Sequence, residues 1–281
     1  MRAVAESSAI RVGIVDYLNA WPLAWGFLTG ALDDAYEPVY LPPAEVASEL
    51  AAGRLDVGLI PSIEVQRQPD LAVVPGLCVA ATHEVRSVIL ISHRPIAEVR
   101  RVALDRNSRT SAALVQILLR AGYGIEAEVE QAAPDAEAML ERADAALIIG
   151  DAALEIDRAR YRVWDLASEW RELTGRPFVF AVWAVRGAAK GRASEITRLL
   201  TYSLELGTRD RQELVRRAVD ELSLEQGEVR DYLGHNLSYC LDGEALLGLE
   251  EFYRQAAAFG LINRAQQLNF LGEPIRGAEI G

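Results

Sequence analysis

The segment RSVILIS, residues 86–92, and the segment FVFAVWAVR, residues 178–186, decide the fold that the sequence predicts. Both are runs of β-branched, aromatic and other apolar residues, a composition typical of strands. A block that the chain enters and leaves by one strand each is typical of a lobe inserted into another, with the paired strands as a hinge. We therefore predict a discontinuous domain I, residues 1–88 and 184–281, and an inserted domain II, residues 89–183.

Short apolar runs alternate with helical patterns over residues 10–185, which predicts an α/β class with parallel crossovers. The predicted strands are Ile10–Val15, Val39–Leu41, Val57–Ile60, Ala72–Val74, Ser87–Ile91, Arg101–Leu104, Ala127–Glu130, Ala145–Ile149, Tyr161–Leu166 and Phe178–Val185. The predicted helices in this region are Ala20–Leu28, Pro43–Ala52, Thr110–Ala121, Pro134–Arg142 and Ala167–Thr174. From Ala193 onward only helices are expected, which gives a helical C-terminal segment.

Composition excludes several classes of protein. Apolar residues make up 51% of the 281 residues, enough for a substantial core. The net charge of −12 argues against nucleic acid as a partner, because phosphate backbones require a basic surface. No window approaches the length of apolar sequence that spans a membrane. The N-terminal stretch MRAVAESSAI lacks the apolar run of a secretory signal, so we expect a cytoplasmic protein.

The cysteines and histidines show no ligand or catalytic spacing. Cys78 and Cys240 lie far apart without a CxxC motif, which is typical of free thiols in a reducing compartment. His83, His93 and His235 lack the spacing of a zinc site. A P-loop and a GxSxG motif are also absent from the sequence, so neither a P-loop nucleotide site nor a Ser-His-Asp triad is predicted.

Three predicted strand-to-helix junctions carry hydroxyl or amide side chains. Tyr17 and Asn19 lie in the first, Ser62 in the second, and the segment NSRTS, residues 107–111, in the third. Helix N-termini bind anions, because their first N–H groups are unpaired and the helix dipole favours negative charge. Capping requires one such side chain, whereas NSRTS has four, with Arg109 as the fifth residue. Simple helix capping remains the alternative at each junction.

Two further positions lie where a cleft between lobes would form. Gly150 and Asp151 follow a predicted strand, at the edge where open sheets bind ligands. Asp151 could equally cap the next turn. Arg86 and Ser87 open a hinge strand, where the serine is either a small sheet residue or a donor to a ligand. These positions predict a cleft with neutral donors for a small anion, without metal or nucleotide.

Seven segments occur here in the same order as in one known family: VDYLNAWPL, LDVGLIPSIE, PGLCVA, RSVILIS, NSRTSAAL, AALIIGDAAL and EWRELTGRPFVFAVWAVR. The chain resembles the chorismate dehydratase family of the futalosine pathway of menaquinone biosynthesis. The resemblance covers residues 10–186, and the tail more loosely through LSYCLD. It implies a two-lobed type II periplasmic-binding-protein-like fold with two crossover hinge strands. It also implies dehydration of chorismate to 3-[(1-carboxyvinyl)oxy]benzoate, without metal or organic cofactor.

The resemblance extends to single residues. It implies that Asn19 is the asparagine of the family's DYLNA motif and that the turn 108–111 binds a carboxylate. Our hypothesis is that Asn19 hydrogen-bonds the departing C4 hydroxyl or the neighbouring ether. The base is left open between the enolpyruvyl carboxylate of the substrate and Asp151. Trp21 departs from the pattern, since arginine is expected there more often. With Asn19 and Asp151 as catalytic residues, the expected substrate-binding residues are Tyr17, Ser62, Arg86, Ser87, Ser108, Arg109, Thr110, Ser111 and Gly150.

Two other functions fit the same features. One is a related enzyme of the same pathway, which yields 1,4-dihydroxy-6-naphthoate. The other is a cytoplasmic small-anion-binding protein of the same fold. Chorismate is the expected small-molecule partner, with neither nucleic acid nor membrane, and the sequence does not indicate an oligomeric state. Turnover of chorismate distinguishes the three, because only the dehydratase converts it to an aromatic ether.

Overall fold

The computed structural model describes residues 9–32, 35–222 and 224–272. Residues 1–8, which include most of the stretch considered above for a secretory signal, lie outside the described residues. The strands are Ile10–Ile14 (β1), Tyr36–Tyr40 (β2), Val57–Pro61 (β3), Ala72–Ala81 (β4), Val88–Ser92 (β5), Arg101–Asp105 (β6), Glu128–Ala132 (β7), Ala145–Ile149 (β8), Arg162–Asp165 (β9), Phe178–Val185 (β10) and Ser238–Leu241 (β11). The α-helices are Trp21–Leu28 (α1), Pro43–Ala51 (α2), Glu64–Arg67 (α3), Arg109–Ile117 (α4), Ala136–Leu140 (α5), Asp151–Leu154 (α6), Leu166–Thr174 (α7), Ala193–Arg209 (α8), Arg211–Glu221 (α9), Gln226–Asp231 (α10) and Gly243–Ala258 (α11).

The first sheet has the strand order β11-β4-β10-β3-β1-β2. Its β1 is parallel to β2 and β3, as expected for strands joined through helices. Strand β10 lies antiparallel between β3 and β4. The chain therefore leaves this sheet after β4 and returns to it beside the same strand, which places the two crossovers next to each other.

The second sheet has the order β7-β6-β8-β5-β9. Strand β6 is parallel to β7 and β8, whereas β5 is antiparallel to β8 and β9. Two sheets with helices confirm the predicted α/β class. Strand β10 lies wholly in the first sheet, although the prediction assigned its residues 178–183 to domain II. The second sheet itself runs from Val88 to Asp165.

Two predictions about strands are wrong. Helices alone were expected after Ala193, yet β11 pairs antiparallel with the edge of β4. A four-residue strand gives little periodic signal, and its conformation depends on a partner far away in the chain. Strand β4 also continues to Ala81, past Pro75 and Gly76, where a strand end was expected. A register shift between Val182 and Ala184 of β10 accommodates this irregular region.

A separate apolar cluster joins the C-terminal helices to the segment VDYLNAWPL. Leu18, Trp21 and Trp25 pack there against side chains of α8, α9 and α10. The contact between α1 and α8 is close at Gly207, where an added Cβ would overlap the carbonyl oxygen of Pro22 and lie 2.8 Å from its Cα. Ser203 of α8 also donates to the carbonyl of Leu23 at 2.8 Å. The helical tail therefore supports the first strand-to-helix junction from behind.

The close approach of α1 and α8 predicts the effect of a single methyl group. Gly207→Ala should lower the free energy of unfolding by about 1–3 kcal/mol, because α1 backbone must move to accept the methyl. Urea denaturation measures this change. Gly227→Ala in α10 is the matched control, since its new Cβ would meet nothing within 4 Å. It should be neutral or stabilise by about 0.5–1 kcal/mol, and equal midpoints for the two variants would contradict the close approach.

Candidate functional site

A cavity lies between the two sheets, at the ends of strands from both. Its polar lining is formed by Tyr17, Asn19, Asn107, Ser108, Thr110 and Ser111. The rest of the lining is apolar apart from the backbone, and includes Leu59, Val79, Val88, Ile149 and Phe180. Among the described residues, no Asp, Glu, Lys, Arg or His lines it. The cavity is therefore a site of neutral donors in an apolar setting.

The cavity is small in this conformation. Its volume is about 60 Å³, whereas a single water needs about 10–15 Å³ of such space. Only a few waters fit, so the lobes are closed. A ligand with a six-membered ring must enter through a more open arrangement.

The turn NSRTS presents hydroxyls to the cavity at the N-terminus of α4. The Ser108 side chain makes no capping hydrogen bond, so simple capping does not explain it. Asp105 instead accepts the N–H of Asn107 at 2.9 Å through its carboxylate. Ser108 and Ser111 are both buried and line the cavity. Their hydroxyls, together with the free N–H groups of the first helical turn, can hold an anionic group.

Thr110 connects the same turn to the other lobe. Its Oγ1 accepts the N–H of Ile63 at 3.2 Å and lies 3.4 Å from the Ser62 Oγ. Ser62 does not line the cavity, because its hydroxyl donates to the Val179 carbonyl at 2.8 Å. Ser62 therefore joins β3 to β10 beneath the site, and Thr110 is shared between the cavity and the lobe contact.

Arg109 points away from the cavity. Its guanidinium donates to Glu64 at 2.9 Å and to the Ser48 Oγ at 2.6 Å, both in the first lobe. The Glu64 side chain is only 4% exposed, whereas that of Arg109 is 33% exposed, so the carboxylate side of this ion pair is shielded from water. The sequence expectation placed Arg109 on the ligand, whereas the structure places it in a contact between the lobes. Arg109 is the first residue of α4, and its side chain extends toward the first lobe rather than into the cavity.

Gly150 and Asp151 form the opposite rim. Gly150 has φ 67° and ψ −148°, a conformation that only glycine adopts readily. A Cβ there would also lie 3.0 Å from the Tyr17 ring. The Tyr17 ring therefore packs against the backbone of Gly150, where there is no room for a side chain. Burial and the nearby carboxylates of Asp105 and Asp151 raise the pKa of Tyr17 to about 12, so its phenol stays neutral.

Asp151 does not line the cavity. Its carboxylate accepts the N–H of Leu18 at 3.0 Å and so holds the turn of Tyr17 and Asn19 from across the cleft. Burial raises the pKa of Asp151 to about 6, the Leu18 N–H opposes this, and the charges of Asp16 and Glu155 add to it. Asp151 is placed to fix the position of Asn19.

The remaining expected residues lie behind the cavity wall. Arg86 makes a 3.5 Å ion pair with Glu228 of the tail and does not reach the lining. Ser87 is fully buried one residue before the lining Val88. Trp21 is buried in the tail cluster, and its indole donates to Asp16 at 2.9 Å. Trp21 is therefore not part of the cavity lining.

Of the expected site residues, six share the cavity lining: Tyr17, Asn19, Ser108, Thr110, Ser111 and Gly150. The other five, Ser62, Arg86, Ser87, Arg109 and Asp151, surround it without lining it. Sequence reasoning missed Asn107, although it stands in the quoted turn, and Phe180 and Val79 on the crossover strands. The motifs PGLCVA and FVFAV contain Val79 and Phe180, but nothing in their composition tells which side chains face a cleft.

No helix in the described ranges is long and apolar enough to cross a membrane. Within the same ranges, no three side chains of His, Cys, Asp or Glu come close enough together to hold a metal ion.

Several known structures share this fold. A protein from Archaeoglobus fulgidus superposes with a TM-score of 0.77 at 18% identity, over 92% of this chain and 100% of that one. The periplasmic aliphatic sulphonate binding protein SsuA from Escherichia coli superposes with a TM-score of 0.63 at 16% identity, over 98% and 97%. At these identities the similarity shows the fold alone. It confirms the predicted two-lobed fold of the periplasmic-binding-protein type.

Sequence comparisons are more specific. A chorismate dehydratase of Thermus thermophilus is 29% identical over 272 residues, which cover 89% of this chain and 95% of that protein. A chorismate dehydratase of Campylobacter jejuni is 30% identical over 176 residues, which cover 60% and 64%. A family model described as menaquinone biosynthesis matches residues 10–258. Because that match spans most of the sequence, the chain belongs to the menaquinone biosynthesis family.

Proposed function

We propose that the protein is a chorismate dehydratase, a carbon–oxygen lyase that removes water from chorismate and leaves 3-[(1-carboxyvinyl)oxy]benzoate. One observation carries this proposal: the cavity lining brings Asn19 together with Ser108 and Ser111, two turns far apart in the sequence. Relatives that match across most of their length are named for this activity. Free thiols at Cys78 and Cys240 support the proposal that it acts in the reducing cytoplasm.

The chemistry of chorismate fits a site without charged lining groups. Chorismate has two carboxylates, an enolpyruvyl ether at C3 and a hydroxyl at C4. Loss of the C3 hydrogen and the C4 hydroxyl makes the ring aromatic, so the reaction is strongly downhill. Such a step requires orientation and stabilisation of developing charge more than it requires a strong nucleophile.

A carboxylate of the substrate is held at the N-terminus of α4. Ser108 and Ser111 supply hydroxyl donors, and the first turn of the helix supplies unpaired N–H groups. These donors stand in an apolar and nearly closed cavity, where hydrogen bonds to a charged acceptor are stronger than in water. An anion can therefore be bound without a lining arginine or lysine.

Asn19 is assigned to the leaving group. Its amide lines the cavity beside Tyr17, and the contact between Asp151 and Leu18 fixes the turn on which both lie. The amide N–H donates to the C4 hydroxyl oxygen as the C4–O bond breaks. Ser87, whose hydroxyl is buried and whose carbonyl accepts the Gly150 N–H, is assigned as a further donor to the substrate.

The base is assigned to the substrate itself. No described carboxylate or imidazole lines the cavity, and Asp151 is engaged with the Leu18 N–H. The enolpyruvyl carboxylate takes the C3 proton, and the C3–H electron pair becomes the new C3–C4 π bond. The C4–O bond breaks, and the departing oxygen takes the proton and leaves as water. Atoms and charge balance without an external acid or base.

The role of Asn19 can be tested by turnover of chorismate. Purified protein should convert chorismate to the aromatic ether, detected by chromatography and ultraviolet absorption. Asn19→Ala should lower kcat about a hundredfold, because a donor to developing charge is lost, with a smaller change in KM. Asn263→Ala is the matched control, since Asn263 is exposed and distant in sequence from the site turns. Full turnover by Asn19→Ala would remove Asn19 from the mechanism, and no turnover by the parent protein would overturn the proposed function.

The role of Asp151 can be tested by the pH dependence of stability and by turnover. Its pKa is raised from 3.8 to about 6, so the folded state binds more protons between these values and loses stability as pH rises through them. Asp151→Asn keeps an oxygen for the Leu18 N–H and carries no charge. It should therefore be more stable than the parent above pH 6, by on the order of 1–3 kcal/mol, with a smaller difference below pH 4.

Urea denaturation at several pH values measures this difference. Turnover separates the two assignments of the base, because a substrate base predicts that Asp151→Asn keeps kcat within about tenfold of the parent. A loss of about a thousandfold or more would instead make Asp151 the general base.

A further inference from the structure

One side of the C-terminal helical segment lies along the hinge. Glu228 of α10 pairs with Arg86 at 3.5 Å, and the Asn236 side chain donates to the Glu84 carbonyl at 2.8 Å. Residues 228, 232 and 236 recur at intervals of four on α10 and the π-helical turn that follows it. Such residues share a helix face. Tyr232, midway between the two contacts, therefore faces the hinge residues 84–87.

Two buried hydroxyls meet at this contact. Ser87 is 0% exposed and Tyr232 is 1% exposed. Neither the Ser87 Oγ nor the Tyr232 hydroxyl has a hydrogen-bond partner among the described residues. Burial raises the pKa of Tyr232, and the adjacent Ser87 hydroxyl acts against this rise. Since an unpaired buried hydroxyl costs about 1–3 kcal/mol, the pair points to a use other than stability.

The backbone before Ser87 is strained and firmly held. Arg86 has φ 63°, in the left-handed region that residues with a side chain avoid, at a cost of about 1–3 kcal/mol. The N–H groups of Val85 and Arg86 donate to the Asp165 carboxylate at 3.0 and 2.7 Å. Arg158 donates to the Arg86 carbonyl at 3.1 Å. These contacts fix the position from which the chain enters β5.

Ser87 connects this turn to the cavity. Its carbonyl accepts the N–H of Gly150 at 2.8 Å, and both Gly150 and the following Val88 line the cavity. A shift of Ser87 would therefore move two lining residues. The side chain of Ser87 is buried and adjacent to the phenol of Tyr232.

We propose that Tyr232 is a positioning residue that acts through Ser87. The Tyr232 hydroxyl donates to the Ser87 Oγ when substrate occupies the cavity, so that the Ser87 proton is directed toward the substrate. The inference rests on the proposed function, which assigns Ser87 to the substrate. It gives the helical tail a part in the reaction, since Tyr232 belongs to the cluster that also packs against Leu18.

The test compares Tyr232→Phe, Ser87→Ala and the double variant in chorismate turnover. Tyr232→Phe removes one unpaired oxygen and keeps the ring, so the melting temperature should be equal to that of the parent or higher. We expect kcat to fall about tenfold, as for the loss of one hydrogen bond in the transition state, with KM within about twofold. The double variant should be no slower than Ser87→Ala, because both substitutions remove the same interaction.

Tyr239→Phe is the matched control. Its hydroxyl is also buried without a hydrogen-bond partner among the described residues and lies near Tyr232, but Tyr239 stands in β11 and not on the helix face that lies along the hinge. It should turn over chorismate like the parent. A parent-like kcat for Tyr232→Phe, losses that multiply in the double variant, or an equal loss in Tyr239→Phe would overturn the inference while the parent remains active. An inactive parent would overturn the proposed function, and the inference with it.

Discussion

The antiparallel pairing of β4 with β10 is the constraint on which the rest of the molecule depends. It places the strand that leaves the first sheet beside the strand that returns to it, with Val182 opposite Cys78. Both crossovers therefore lie side by side, and the two sheets can meet only along one line. The cavity lies on that line and takes lining residues from β4 and β10 themselves, through Val79 and Phe180.

The charges around the cavity favour binding of an anion by neutral groups. The chain has a net charge of −12, and the buried carboxylates Asp105 and Asp151 lie near Tyr17. Burial raises the pKa of both carboxyl groups. Binding of an anionic substrate then depends on the local dipoles at the N-terminus of α4. Their field falls off within about one helical turn, so they select the end of the ligand that reaches α4. Binding is specific because attraction is confined to one short turn.

The ten strands and the five longer helices up to Val185 could be predicted in order, because apolar periodicity reflects burial directly. The four-residue helices Glu64–Arg67 and Asp151–Leu154 were not predicted, since one helical turn has no period to detect. Strand β11 could not be predicted, because it has only four residues and pairs irregularly with β4, so its sequence shows no detectable period. The turns that meet in the cavity were also predictable, because strand ends carry their polar residues. The direction of single side chains was not. Arg109 and Ser108 are neighbours, yet one binds Glu64 and the other lines the cavity, and only the position of α4 against the first lobe determines this.

The contacts between the lobes at the two rims of the cavity control how a ligand enters and leaves. The lobes are joined at one rim by Arg109 with Glu64 and at the other by Asp151 with the Leu18 N–H. Because the cavity is nearly closed in this conformation, a ligand can enter or leave only when both rims separate. Departure of the aromatic acid therefore breaks the contact between Arg109 and the shielded Glu64 carboxylate each time. Opening of the rims is then a conformational step of every cycle, separate from bond cleavage.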